Sequence, residues 1–193
     1  MDRHMYLEQL EKQEADAKTL RADMLAEFSR FASCFMQCKL HLQEGHVLDA
    51  YSLILEALCH WAKIALLEEK VQPGALLWEQ VRTVNPGVYK LYEELAANEE
   101  TLEQRTRLAV LACEFGVMTK MGKCCELLID VIASRKQAWS LQELREAPEL
   151  AGLDRDLDLH LLLNLLAKKS FVREVAEAGG KPESILLELK YTV

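Results

Sequence analysis

Apolar residues recur at helical spacing along most of the chain. The first segment, from Met5 to about Gln43, is polar and helix-forming as far as Arg21. Beyond it Met24, Phe28, Phe31, Phe35, Cys38 and Leu42 follow in alternating steps of four and three, which puts all six on one helical face. Gly45 predicts the stop, because the residue after a helix commonly takes a positive φ. A second helix is expected from about Val47 to Lys70. Val47, Tyr51, Ile54, Leu58, Trp61 and Ala65 form its main face, and Leu53, Ala57, Ile64 and Leu67 widen it. A stripe this broad belongs to a helix contacted on several sides, so it is expected at the centre of a bundle. Pro73-Gly74 closes the region.

Leu76 to Val84 reads as a short helix. Asn85-Pro86 resets the chain, since Asn is a good N-cap and Pro is tolerated at the first helical position. The helix they open runs through Val88, Leu91, Tyr92 and Leu95 and stops near Asn98. Thr101 or Glu99 opens another, carrying Leu102, Leu108, Leu111, Ala112, Phe115 and Met118 to Gly122. Short connections predict antiparallel neighbours.

After Gly122 the pattern changes. A helix from Lys123 to about Lys136 buries Leu127, Leu128, Val131 and Ile132. Ser140 with Glu143 three residues later is a capping box that opens a short helix ending around Glu146 or Pro148. Asp154 is placed to cap a third helix, with Leu157, Leu161, Leu162, Leu165 and Leu166 facing inward. Two strands follow: Phe171 to Val175, then Ile185, Leu187, Leu189, Tyr191 and Val193 in strict alternation with Leu186, Glu188, Lys190 and Thr192. The stretch from Ala178 to Pro182 is turn-rich and predicts a hairpin loop. Three helices and a hairpin are the order of a winged helix-turn-helix. The expected fold is therefore mainly α: an all-helical, substrate-binding-like bundle over 1–121, then a winged helix-turn-helix with a small β-hairpin over 122–193.

Composition narrows the classes. Half of the 193 residues are apolar, enough for a core and too many for a disordered chain. The most apolar stretch, Tyr51 to Leu67, is interrupted by Glu56, His60 and Lys63, so no membrane role is expected. The net charge of −8 argues against bulk electrostatic binding of nucleic acid. Charged helical sequence from the start, and six cysteines set inside helical patterns, predict reduced, mostly buried thiols in a cytoplasmic protein.

Candidate chemistry is sparse. Asp156 and Asp158 lie two apart on a presumed helix, point away from one another, and have no Gly-Ser turn beside them, so they read as favourable charges at a helix N-terminus. Cys34, Cys38 and His41 share a helical face and could donate to one metal, but no partner pair follows and Cys38 belongs to the apolar stripe, so core packing is expected. Cys59 beside His60 diverges on a helix and makes no nucleophile–base pair. The third helix of the tail opens with Asp154, Asp156 and Asp158, and from Lys123 onward ten Lys and Arg face twelve Asp and Glu. DNA binding is therefore disfavoured, although Lys168, Lys169, Arg173, Lys181 and Lys190 could form a basic patch on the wing. The constellation that remains is cationic and aromatic. His46, Asp49 and Gln80 fall near it, and His60, Lys63, Trp78, Arg82, Tyr89 and Lys90 are its candidate substrate-binding residues. Cations and stacking rings suit a nucleotide or other phosphorylated ligand. The competing reading makes the rings bundle core and the charges the lining of a wet groove.

The stretches Gly45 to Tyr51, Glu56 to Ala62, Trp78 to Arg82 and Asn85 to Leu95 resemble the YgxA-like, nucleotidyltransferase-like family of Gram-positive bacteria. In that family a nucleotidyltransferase-like domain precedes an all-helical substrate-binding-like domain and a C-terminal helix-turn-helix. The resemblance covers nearly the whole chain but only the last two modules. It implies a non-catalytic C-terminal portion that binds and positions a nucleotide or an acceptor substrate beside an N-terminal nucleotidyltransferase-like domain. No catalytic residue and no cofactor are expected in this chain, and magnesium is expected only in that transferase domain. The alternatives are a DNA-binding transcription regulator that forms a homodimer through its helical domain, and a structural adaptor for a partner protein.

Overall fold

A computed structural model describes residues 3–97, 99–153, 157–178 and 187–193, with backbone only at 3–11, 177–178 and 187–188. The chain is mainly helical. Helix α1 spans Arg3–Gln43, α2 Val47–Glu68, α3 Leu77–Val84, α4 Pro86–Ala97 and α5 Leu102–Cys124. Helices α6 (Glu126–Ala133), α7 (Leu141–Arg145) and α8 (Leu159–Lys168) follow, with strands β1 (Trp139–Ser140), β2 (Arg173–Ala178) and β3 (Leu187–Thr192).

The six-residue stripe of α1 is buried throughout its length. Phe31 meets Phe28 edge-on at 6.3 Å and lies 5.5 Å from Trp61 on α2. Gly45 has φ +82°, where a residue without Cβ turns the chain into α2 at no steric cost. Helix α2 packs on α1, α3, α4 and α5. It has the length and apolarity of a bilayer-crossing helix, yet ten of its residues, among them Ile54, Leu58, Ile64 and Leu67, are buried inside the bundle. Burial among neighbouring helices accounts for that apolarity.

The local stop and start signals act as their chemistry dictates. The Val88 amide donates to Asn85 Oδ1 at 3.2 Å. Thr101 and Gln104 form a reciprocal capping box, as do Ser140 and Glu143. The amide of Ser140 and the Arg135 guanidinium hold the Glu143 carboxyl down at about 2. A lowered carboxyl stabilises the fold above its ordinary value near 4.5 and loses that contribution as the pH falls toward 2. Glu143→Ala is therefore expected to lower the unfolding midpoint at neutral pH, with the difference from the parent shrinking in strong acid. Thermal melts across that pH range check it.

Three expectations are corrected. On α5, Leu108, Leu111, Phe115 and Met118 face solvent, with Phe115 67% exposed. The buried face is instead Thr106, Ala109, Val110, Cys113, Gly116, Val117 and Met121. Small residues sit inside because α5 lies close against α2: a Cβ on Gly116 would stand 2.9 Å from the Trp61 ring. The cap of α8 is Asp158, whose Oδ1 accepts from the Leu161 amide at 3.0 Å; residues 154–156, including the expected cap Asp154, lie outside the described residues. A short 3-10 turn, Pro148–Leu150, precedes that helix. On β3 the alternation is not an inward face, since Tyr191 is buried while Leu189 and Val193 are about half exposed. Ile185 and most of the expected hairpin loop lie outside the described residues.

The sheet is antiparallel with order β1-β3-β2, and Trp139 pairs with Tyr191. The strand β1 between α6 and α7, with the β2–β3 hairpin after α8, completes a winged helix-turn-helix. One apolar core runs through both halves, from Phe28 and Leu58 to Leu128, Leu162 and Tyr191. Helix α1 joins them: it packs on α6 and α8, and Arg21 reaches Glu126 and Asp130.

Candidate functional site

Beside its apolar stripe α1 carries Glu27, Arg30, Ser33 and Cys34. The facing side of α2 carries Glu56, His60 and Lys63, at i, i+4 and i+7. Glu27 is the hub. Its side chain is only 12% exposed and accepts from His60 Nδ1 at 2.6 Å, Lys63 Nζ at 3.3 Å and Arg30 at 2.9 Å. Burial alone would raise its pKa, but the His60 hydrogen bond and the Lys63 charge outweigh burial and hold the carboxyl below its ordinary range. A carboxylate can only accept, so Nδ1 of His60 carries the proton and Nε2 is left facing Glu56, 3.9 Å from its Oε1. Nearby Asp23 is shifted the other way, upward, by burial and by the Glu27 charge.

Arg30, Ser33, Cys34, Glu56, His60 and Lys63 line a cleft of about 660 Å³ between the bundle and the C-terminal module. Helix α1 supplies Ser29, Arg30, Ser33 and Cys34; α2 supplies Glu56, His60 and Lys63; Arg145 and Leu157 to Leu159 close the far side. The Asp158 amide donates to Ser29 Oγ at 2.8 Å, tying the start of α8 to α1. A second cleft of about 350 Å³ shares Arg30 and Lys63 and adds Asp23, Glu27 and Gln72. The two cations thus stand between two openings.

The structure divides the six residues expected to form one site. His60 and Lys63 meet on Glu27. Trp78 stacks on Tyr92 at 3.8 Å, so its partner ring is not Tyr89. Trp78 and Tyr89 both pack on a small second cluster of Ala62, Leu66, Val81 and Val88. Arg82 is exposed and bridges Glu79 at 2.8 Å, and Lys90 is exposed. On α2 the Ala62 and Leu66 face lies roughly 100° round the helix from the His60 and Lys63 face. Cys34, Cys38 and His41 are not brought together: both cysteines are buried, while His41 turns to His46, with their Nδ1 atoms 3.5 Å apart.

The residues the sequence reading passed over are Glu27, Arg30, Ser29 and Arg145. A signal for the first two existed. Charged residues one step from a buried stripe, on a helix that crosses the molecule, sit where a partner charge is needed.

A helical bundle carrying a winged helix-turn-helix, with a charged polar cleft at their junction, defines a protein of two modules. The chain belongs to the family of the YgxA-like substrate binding domain, which matches residues 21–120, and a helix-turn-helix domain matches residues 126–192. It is 31% identical to YgxA of Bacillus subtilis (strain 168) over 146 residues, 76% of this chain and 49% of that protein. The crystal structure of a nucleotidyltransferase-like protein from Exiguobacterium sibiricum 255-15 superposes with a TM-score of 0.84 at 30% identity, over 100% of this chain and 66% of that one. The chain thus spans about half of YgxA and about two thirds of the solved neighbour.

Proposed function

We propose that this chain binds a nucleotide, or the substrate that accepts one, in the cleft between bundle and C-terminal module, and holds it for a nucleotidyltransferase-like domain. The observation that carries the reading is the convergence of Lys63, Arg145, Ser33 and His60 on one cleft in a substrate-binding family whose solved relative is nucleotidyltransferase-like. Cations and hydroxyls on opposite walls suit a phosphate and a sugar. The chain would contribute binding and orientation, not the transfer step, and magnesium would enter with the transferase domain. Six free thiols, five of them buried, suit a reducing compartment such as the cytoplasm.

Calorimetric titration with nucleoside mono- and triphosphates tests it. A charge-assisted hydrogen bond contributes about 1.5–3 kcal/mol, so Lys63→Ala and Arg145→Ala are each expected to weaken binding by about tenfold or more. Arg82→Ala, on α3, is expected to leave it unchanged. Loss confined to Arg82→Ala would move the ligand to α3 and α4.

Duplex DNA is the second reading, favoured by the helix-turn-helix match over residues 126–192. Against it, the first turn of α8, the end that enters a groove in such motifs, is docked on α1 through Ser29. Lys168, Lys169 and Arg173 are exposed, and Lys181 lies outside the described residues. This reading predicts salt-dependent duplex binding that weakens when Lys168, Lys169 and Lys181 are neutralised. An unshifted duplex at low salt removes it.

A further inference from the structure

We propose that Cys34, Glu56 and His60 are the protein ligands of a divalent transition-metal site of zinc type, open to the cleft at its fourth position. Their donor atoms all lie within 4.8 Å of one another. Glu56 and His60 share a face of α2 at i and i+4, and Cys34 comes from α1 opposite. Thiolate, imidazole and carboxylate together are a borderline-soft set that zinc accepts, whereas magnesium and calcium take oxygen.

A second observation comes from behind the ring. A metal-bound histidine almost always gives its other ring N–H to a carboxylate or carbonyl, which fixes the tautomer and aims the free nitrogen. His60 has that arrangement already: Nδ1 is held by Glu27 at 2.6 Å, and Nε2 points to Glu56. Glu27 is itself held by Lys63 at 3.3 Å. Cys34 and His60 are buried while the Glu56 side chain is 61% exposed, so two ligands are preset and the third closes from the mouth. Burial and the Glu56 charge push the Cys34 thiol up to about 11. A metal would take the place of the thiol proton, which is released on binding. Three protein ligands and a facing cavity are the layout that leaves a place for water or a ligand oxygen.

The donors His41, Glu44 and His46 also lie within 4.8 Å of one another, but they sit in the last turn of α1 and the surface turn after it, and among the described residues Glu44 is the carboxylate that pairs with their nitrogens. They supply the control. The inference rests on cleft geometry and not on the ligand proposed above, so the metal is titrated without nucleotide and either reading can fail alone.

The test is titration of the full chain, stripped by chelator, with cobalt(II) and then zinc(II). Cobalt is expected to give a thiolate charge-transfer band and the intense visible bands of a tetrahedral site, both in the parent and in His41→Ala/His46→Ala. Cys34→Ser is expected to abolish the thiolate band. Glu56→Gln, whose side chain is exposed and whose fold is not at risk, is expected to weaken zinc in competition with a chromogenic chelator. Glu27→Gln is expected to weaken zinc 10–100-fold while the thiolate band survives at saturation. Absence of the thiolate band in the parent, or metal binding kept in Cys34→Ser and lost in His41→Ala/His46→Ala, overturns the assignment.

Discussion

Phe31→Ala is expected to cost about 3–5 kcal/mol of stability, the range for removing a buried phenylalanine ring. Phe31 is fully buried, touches Phe28 and Trp61, and sits where α1 meets α2. A single domain is stable by about 5–15 kcal/mol, so this loss is a large share of the total. Urea unfolding at neutral pH measures it. Leu108→Ala provides the contrast, because an exposed residue changes stability within about 0.5 kcal/mol. Equal effects at the two positions would mean that the buried face of α5 has been misassigned.

Glu27→Ala is expected to cost about 2 kcal/mol. Removing one partner of a fully buried ion pair costs about 3–5 kcal/mol, because the remaining charge stays dry. Here Lys63 and Arg30 are about a third exposed and recover water, while His60 cannot, so the loss is smaller. The sign of the pH dependence follows from the lowered Glu27 carboxyl. A group depressed in the folded state stabilises it fully above the ordinary value of 4.5, and that contribution disappears as the pH falls through the folded value. Urea titrations in neutral and strongly acidic buffer are expected to show a parent-to-variant gap that narrows in acid. A gap independent of pH would place the effect in packing and not in charge.

What the sequence made legible were features set by neighbours along the chain. The α1 stripe, the Asn85-Pro86 restart and the cap at Ser140 each depend on a few adjacent residues and each is where it was expected, while of the two openings expected for α5 the cap is Thr101 and not Glu99. Helix α5 failed because size was taken as a sign of burial. Its contact with Trp61 requires the small side of the helix, which leaves Leu108, Leu111, Phe115 and Met118 outside. Strand β1 has two residues, too short for a period of two to register, and is fixed by pairing with β3 fifty residues later. The candidate site was half legible for the same reason. Lys63 and His60 stood out as polar groups on an apolar helix, but Glu27 and Cys34 become their neighbours only when α1 folds against α2. Trp78 and Tyr89 looked able to stack on a base, yet Trp78 is already stacked on Tyr92, one turn along α4 from Tyr89.

Amide hydrogen exchange on the intact chain, with and without saturating nucleotide, asks most directly whether the junction cleft is where the ligand sits. New protection is predicted in three separated segments, 29–34 on α1, 56–63 on α2 and 157–159 at the start of α8. Protection confined to 78–90, or no change in any segment, would contradict it.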